Sequence, residues 1–173
     1  MRIEDIQDDQ RISLHLIAEG RQEALQAVAK AFVEADPSLD REAVFESLLA
    51  RETVATTGIG DGVAVPHARL PGVRETQFIV ATCPEGLDFE SVDGRPVNIL
   101  VGVLSPADRP RESIRALSEV ARRLKDPAVR RDLVEANTPA AAVRALRRGK
   151  DQGAESRDLG TAMPAPDSAM PSA

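Results

Sequence analysis

His67 has neighbours that would suit it for chemistry on an anion. The residues just before it, Val63-Ala64-Val65, have the apolar and branched character of a short buried strand. Pro66 fixes its own φ and favours an extended Val65, so we expect the His67 ring to stand at the end of a rigid element. A neutral imidazole, whose ordinary pKa is about 6.5, can attack phosphorus without first losing a proton, and it can leave again. The segment therefore favours phosphoryl transfer through His67.

Glycines and arginines accompany this histidine in the sequence. Gly58, Gly60 and Gly62 allow backbone turns that other residues resist, and such turns can bring N–H groups close to an anion. Arg51 and Arg69 are the local candidates for neutralising the charge of a phosphoryl group, which needs no metal. The G-x-G-x-G spacing is neither the dinucleotide-binding nor the P-loop pattern. An ordinary turn beside a structural histidine is therefore the alternative interpretation.

The second histidine and the one cysteine predict no further site. His15 lies in Ile12-Ser13-Leu14-His15-Leu16, which alternates like a half-buried strand, and we interpret it as structural. Cys83 has no partner for an internal disulfide and is expected to pack as a small apolar group. Two histidines so far apart give no zinc signature, so neither a metal nor a cofactor is predicted.

Apolar periodicity predicts helices that lie over a buried sheet. Asp40, Asp126 and Thr138 stand where capping side chains belong, and the last two each precede a proline at the first helical position. The predicted helices cover residues 21–35, 41–51 and 110–125, with two more that begin at Pro127 and Pro139, the last closed by Gly149. The predicted strands are residues 12–16, 63–65, 77–82 and 97–104, the last two apolar enough to be covered on both faces.

Size and charge exclude several classes of protein. The chain of 173 residues suits one domain, residues 1–148, and the remainder, 149–173, has few large apolar side chains and is predicted to be a disordered tail. A net charge of −6, with no Trp, no Tyr and four Phe, argues against nucleic acid as a partner. The acidic start and the lack of any run of about 18 apolar residues predict a cytoplasmic protein without membrane insertion.

The segment from Arg51 to Arg69 resembles a known active site. Arg51-Glu52, then Thr57-Gly58-Ile59-Gly60 and Gly62-Val63-Ala64-Val65-Pro66-His67, is similar to the enzyme IIA components of the bacterial phosphoenolpyruvate-dependent phosphotransferase system. The class is fructose/mannitol, which includes the nitrogen-regulatory branch. Residues 89–97 and 117–124 also match in order and spacing, so the resemblance covers roughly residues 5–147. It implies a single α/β domain with a mixed β-sheet of about five strands, flanked by helices on both faces.

The resemblance also implies roles for individual residues. His67 matches the family histidine that accepts a phosphoryl group at Nε2 from the phosphocarrier HPr or a nitrogen-branch paralogue. Arg51 matches the family arginine beside that histidine, where it would stabilise the phosphoryl group. Thr57, Arg69 and the three glycines are interpreted as supporting residues.

The chain departs from the family pattern at one position. Where the family usually has a second histidine, early in the helix after the last long strand, this chain has Ser113. A hydroxyl can hydrogen-bond a phosphate oxygen or the His67 ring, but it carries no charge. Arg111 and Arg115 are the neighbouring residues that could supply the charge instead.

Three functions are compatible with these observations. The first is a phosphotransferase with a phosphohistidine intermediate that passes its phosphoryl group to a IIB component for sugar transport. The second is a free-standing regulator of the nitrogen branch, whose phosphorylation state governs binding to target proteins; the absence of IIB or IIC segments in the chain favours it. The third is a degenerate binding module that has lost transfer, which the serine at position 113 suggests.

Overall fold

The computed structural model describes residues 2–6 and 9–148 of the chain. The tail predicted for residues 149–173 and the helix stop predicted at Gly149 lie outside the described residues. In the parts of the chain that are described, no helix is long and apolar enough to span a membrane.

Five α-helices form in the described residues, and three of them start at the predicted capping side chains Asp40, Asp126 and Thr138. Asp40 accepts a hydrogen bond from the N–H of Ala43 at 2.8 Å, and Asp126 accepts one from the N–H of Ala128 at 2.8 Å. The helices are α1 (Arg21–Ala35), α2 (Arg41–Val54), α3 (Pro110–Leu124), α4 (Pro127–Val134) and α5 (Pro139–Arg148). Helix α2 continues past the predicted end at Arg51 because no glycine or proline follows there to stop it.

The strands form one mixed sheet. They are β1 (Ile12–Ser13), β2 (Gly58–Gly60), β3 (Val63–Ala64), β4 (His67–Leu70), β5 (Gln77–Leu87) and β6 (Val97–Pro106). Their order is β1-β5-β6-β3-β2, and β4 also pairs with β6. The pairs β5–β6 and β2–β3 are antiparallel, whereas β1–β5, β3–β6 and β4–β6 are parallel. The described residues thus contain six strands where about five were expected.

Two strand predictions were too long. Strand β1 ends at Ser13, and His15 lies beyond it with a φ of 56°, so the prediction that it belongs to the strand was wrong. The chain turns away there, held by hydrogen bonds from the N–H groups of His15 and Leu16 to Thr82. Val65 is likewise outside β3. Pro66 has no N–H to donate to β6, so the pairing with β6 is interrupted between β3 and β4.

Helices cover both faces of the sheet, as predicted. Alternate residues of β6 face opposite ways: Leu100 and Leu104 pack with α1 and α2, whereas Ile99 and Val101 pack with α3, α4 and α5. Both faces are therefore mainly apolar, with few buried polar side chains such as Thr82 and Ser105.

A close approach between β6 and α1 makes Gly102 sensitive to substitution. A Cβ atom at Gly102 would lie 2.6 Å from a methyl carbon of Val28 and 2.9 Å from the Phe32 ring. Gly102→Ala is therefore expected to lower the free energy of unfolding by about 1–3 kcal/mol, measured by urea denaturation. Gly20→Ser is the control, since Gly20 is the N-cap of α1 with open space around it, and its stability should be equal or slightly higher. Equal stability of Gly102→Ala and the unchanged chain would contradict this packing.

Candidate functional site

His67 is the first residue of β4, and both of its ring nitrogens have partners. Its Nδ1 lies 2.8 Å from the carbonyl oxygen of Val65, and its Nε2 lies 3.1 Å from Nε of Arg51. A carbonyl only accepts and a guanidinium only donates, so the proton belongs on Nδ1 and the lone pair on Nε2. The hydrogen bonds thus define one neutral tautomer, with Nε2 as the nucleophilic atom.

Arg51 comes from the last turn of α2 and is held at two points. Its Nε donates to His67, and its Nη1 donates to the carbonyl oxygen of Ala55 at 3.0 Å, just past the end of the helix. Two separate contacts fix the plane of the guanidinium beside the ring. The remaining N–H groups of this guanidinium are the donors beside the ring that can bind phosphoryl oxygens.

His67 and Arg51 open onto a cleft of about 700 Å³ between α2, β4 and α3. Arg69 and Ser113 also line this cleft, so four predicted site residues meet there. Ser113 is buried, at 6% exposure, and faces the cleft from α3. The cleft combines a nucleophile, two cations and the hydroxyls of Ser113 and Ser47, which is a set of groups that suits a phosphoryl group.

Arg111 and Arg115 do not take the place of the family's second histidine in this structure. Both are exposed on α3, and the residues that line the cleft from this helix are Pro110, Ser113, Ile114 and Leu117. The wall of the cleft opposite His67 is therefore a neutral hydroxyl with apolar neighbours. The positive charge comes instead from α2 and β4.

The three glycines and Thr57 lie behind the site, outside the cleft lining. A Cβ at Gly58 would stand 2.5 Å from Oγ of Ser91, and Gly60 has a φ of 95° that side chains resist. Because Gly58 and Gly60 have no side chains, their backbone packs closely against residues 91–98. The role expected for the glycine N–H groups, an approach to an anion beside His67, stays a prediction. The glycines shape the loop that carries Thr57 toward Val65.

Glu52 is a buried residue of the site that the sequence reasoning did not single out. Its carboxylate accepts the N–H of Thr57 at 2.9 Å and also the Thr57 hydroxyl. The sequence contains a signal for its burial, because Glu52 follows Val44 and Leu48 at four-residue intervals on one face of α2. A carboxylate on that stripe has to be hydrogen-bonded inside the protein.

The surroundings of His67 keep its ring neutral. Burial lowers the pKa of His67, and the guanidinium of Arg51 lowers it further. The hydrogen bond to Val65 and the charge of Glu52 act the other way, but the net direction is below the ordinary value of about 6.5. A neutral ring with an unprotonated Nε2 is therefore the main form at neutral pH.

The depressed pKa predicts how the ring titrates. As pH falls, His67 should stay neutral through pH 6.5 and take a proton on Nε2 only at lower pH. A titration of the His67 ring carbon protons by NMR measures this directly, with backbone amide shifts as the control that the fold persists. A midpoint at or above about 6.5 would contradict the burial and cation effects described.

The remaining candidates for chemistry lie elsewhere. His15 and Cys83 border a separate cavity, and burial raises the pKa of the Cys83 thiol to about 11, so it is an inert packing group. Within residues 2–6 and 9–148, no three His, Cys, Asp or Glu side chains are grouped so that they could hold a metal ion.

Fold and sequence together identify the class of protein. Residues 5–149 match the family model described as phosphoenolpyruvate-dependent sugar phosphotransferase system, EIIA 2. The chain belongs to this family, whose members are phosphotransfer proteins.

Similar proteins include regulators and sugar-specific components. A nitrogen regulatory protein of Bradyrhizobium diazoefficiens is 35% identical over 133 residues, which are 77% of this chain and 86% of that protein. A fructose-specific EIIA component of Haloferax volcanii is 34% identical over 127 residues, covering 73% and 82% of the two chains. The crystal structure of the nitrogen regulatory protein IIA-Ntr from Neisseria meningitidis has a TM-score of 0.76 at 28% identity and covers 83% of this chain and 98% of that one.

Proposed function

We propose that this chain accepts a phosphoryl group on Nε2 of His67 from phospho-HPr or a nitrogen-branch paralogue, in the cytoplasm. The observation that supports it best is the pair of contacts on the His67 ring. The carbonyl of Val65 accepts a hydrogen bond from Nδ1–H, and Arg51 donates one to the Nε2 lone pair, which lies at the cleft. The reacting atom and the charge that would receive the phosphoryl group therefore come together in one place.

The transfer step needs no proton movement at His67. The Nε2 lone pair forms a bond to phosphorus as the bond between phosphorus and the donor's leaving atom breaks, and that electron pair stays with the donor. The ring keeps its Nδ1 proton and becomes positively charged, and the Val65 carbonyl stabilises that charge. Since Arg51 Nε donates to the same lone pair in the resting protein, this hydrogen bond must break, and the guanidinium then turns to the phosphoryl oxygens.

Arg69 and Ser113 would complete the phosphoryl site. Arg69 is exposed on β4 and lines the cleft, where it adds a second positive charge. Ser113 can donate its hydroxyl to a phosphoryl oxygen or accept one hydrogen bond, but it leaves the charge to the arginines. Because helix α3 contributes a neutral serine where the family usually has a histidine, acceptance of the phosphoryl group is better supported than its delivery to a IIB component.

A regulatory role of the nitrogen-branch kind is the first candidate for what the phosphorylated protein does. The nitrogen regulatory relative, at 35% identity over 133 residues, supports it. Sugar transport through a IIB component is the second candidate, supported by the fructose-specific relative at 34% identity. In the regulatory case, phosphorylation at His67 would change the affinity for a target protein that contacts the cleft.

Incubation with phosphoenolpyruvate, enzyme I and HPr tests the proposal. The protein should take up radioactive phosphate in an acid-labile, alkali-stable form, as a phosphohistidine does, and omission of HPr is the control. Absence of uptake with both HPr and its nitrogen-branch paralogue would refute the proposal and would leave a binding module that has lost transfer.

Two further assays separate the candidate roles. Transfer from the labelled protein to a IIB domain would indicate transport. Affinity capture with the phosphorylated and the unphosphorylated protein would indicate regulation if the two forms retain different target proteins. Identical sets of captured proteins would count against the regulatory role.

A further inference from the structure

Glu52 is a charged side chain in a place that is costly for a charge. The residue is 2% exposed and sits in the last turn of α2, directly after Arg51. Its ion-pair partner is the guanidinium of Arg21, whose Nη1 lies 3.9 Å from Oε1 of Glu52 but closer to a carboxylate oxygen of Glu90, at 3.2 Å. Its hydrogen bonds are therefore to one residue, Thr57, which supplies both its N–H and its hydroxyl. A buried carboxylate with such a specific partner calls for a function other than packing.

Thr57 connects this carboxylate to the backbone that touches His67. While its N–H and hydroxyl point to Glu52, its carbonyl accepts the N–H of Val65 at 2.9 Å. The carbonyl of Val65 in turn accepts Nδ1–H of His67 at 2.8 Å. Three successive links thus run from the end of α2 to the imidazole, and they pass through the backbone N–H and carbonyl groups of two residues, Thr57 and Val65.

Val65 lies between two strands, and its N–H is held by Thr57, the residue directly before β2, next to the Gly58–Ala64 pair. Strand β3 ends at Ala64 and β4 begins at His67, so Val65 stands in the gap between them. The next residue, Pro66, has no N–H, although its carbonyl accepts the N–H of Val103 at 2.9 Å. The hydrogen bond from Val65 to Thr57 therefore does for this residue what a strand partner does elsewhere.

We infer that Glu52 is a positioning residue for phosphoryl transfer: through Thr57 it fixes the Val65 carbonyl, which holds His67 in the Nδ1–H tautomer with Nε2 free. This inference rests on the proposed function of His67. The charge of Glu52 serves the same step, because it favours a positively charged imidazole, and the ring becomes positive when Nε2 is phosphorylated. Glu52 itself touches no reacting atom.

The test compares the tautomer of His67 in variants at position 52. In 15N NMR spectra of the unphosphorylated protein, the two ring nitrogens report which of them carries the proton. Glu52→Ala should shift His67 from the Nδ1–H form toward a mixture with the Nε2–H form, and should slow phosphoryl uptake about 10- to 100-fold. Glu46→Gln, on the exposed side of the same helix, is the control and should change neither.

Glu52→Gln separates geometry from charge. Its amide can accept from the N–H of Thr57 and donate to the hydroxyl, so the Nδ1–H tautomer should persist. Loss of the negative charge should lower the pKa of His67 further, which a merely structural role would not do. Thr57→Val keeps the N–H link and removes the hydroxyl, and should move the tautomer in the same direction as Glu52→Ala; it serves if the alanine variant does not fold.

The outcomes distinguish this inference from the proposed function. An unchanged tautomer in a folded Glu52→Ala or Thr57→Val protein would overturn the inference even if His67 is phosphorylated normally. A shifted tautomer in these variants would sustain the positioning role of Glu52 even if the unchanged chain accepts no phosphoryl group from HPr. The ring spectra need no donor protein, so the two questions are answered separately.

Discussion

His67→Ala is expected to reduce phosphoryl uptake from phospho-HPr by more than about 1000-fold, to background, because it removes the imidazole nitrogen that would attack phosphorus. The side chain is half-buried and its contacts are to Arg51 and the Val65 carbonyl, so its loss should leave the fold intact. Initial rates of radioactive uptake measure the effect, with circular dichroism to check the fold.

The chain provides a matched control for this change. Its other histidine, His15, lies past the end of β1 and borders a different cavity. His15→Ala should therefore take up phosphate at the same rate and to the same extent as the unchanged chain. Retained uptake in His67→Ala, or its loss in His15→Ala, would mean that the phosphoryl group goes elsewhere.

Arg51→Ala is expected to slow phosphoryl uptake by about 100- to 1000-fold, which corresponds to about 3–4 kcal/mol in the transition state. The guanidinium lies next to the attacking nitrogen, with its Nε 3.1 Å from Nε2 of His67. Its hydrogen bond to the Ala55 carbonyl keeps it in this position. Removing the cation should also raise the pKa of His67, since Arg51 is one of the groups that lower it. Stopped-time labelling and an NMR titration measure the two effects.

Two further variants define what Arg51 contributes. Arg51→Lys restores charge without the planar set of donors, so its rate should fall between those of Arg51→Ala and the unchanged chain. Arg41→Ala changes an exposed arginine at the other end of α2 and should have no effect. If Arg51→Ala transfers at the rate of Arg41→Ala, charge stabilisation by this arginine is not part of the mechanism.

The helices could be predicted well from sequence because their signals are local. Asp40, Asp126 and Thr138 each cap within three residues, and the proline after the last two fixes the first turn. The apolar runs of β5 and β6 were equally clear, since both faces of the sheet are covered. Strand β1 was harder: its pattern continues to Leu16, but the chain leaves the sheet after Ser13 through the turn at His15.

The site could be predicted only in part. The choice of His67 and Arg51 came from a motif, whereas their contact joins α2 to β4 and depends on how these two elements pack. The close packing of Gly58 against Ser91 could not be predicted, because no local pattern connects these two segments. Glu52 could have been found from its place on the buried face of α2, but its partner Thr57 lies beyond the end of the helix, where the helical pattern gives no information.

The most direct test is to locate the phosphorus atom. After incubation of the 15N-histidine-labelled protein with phosphoenolpyruvate, enzyme I and HPr, NMR should show phosphorus bonded to Nε2 of His67, with the proton still on Nδ1. Phosphorus on Nδ1 of His67, on His15 or on no histidine would contradict the assignment of His67 Nε2 as the phosphoryl acceptor.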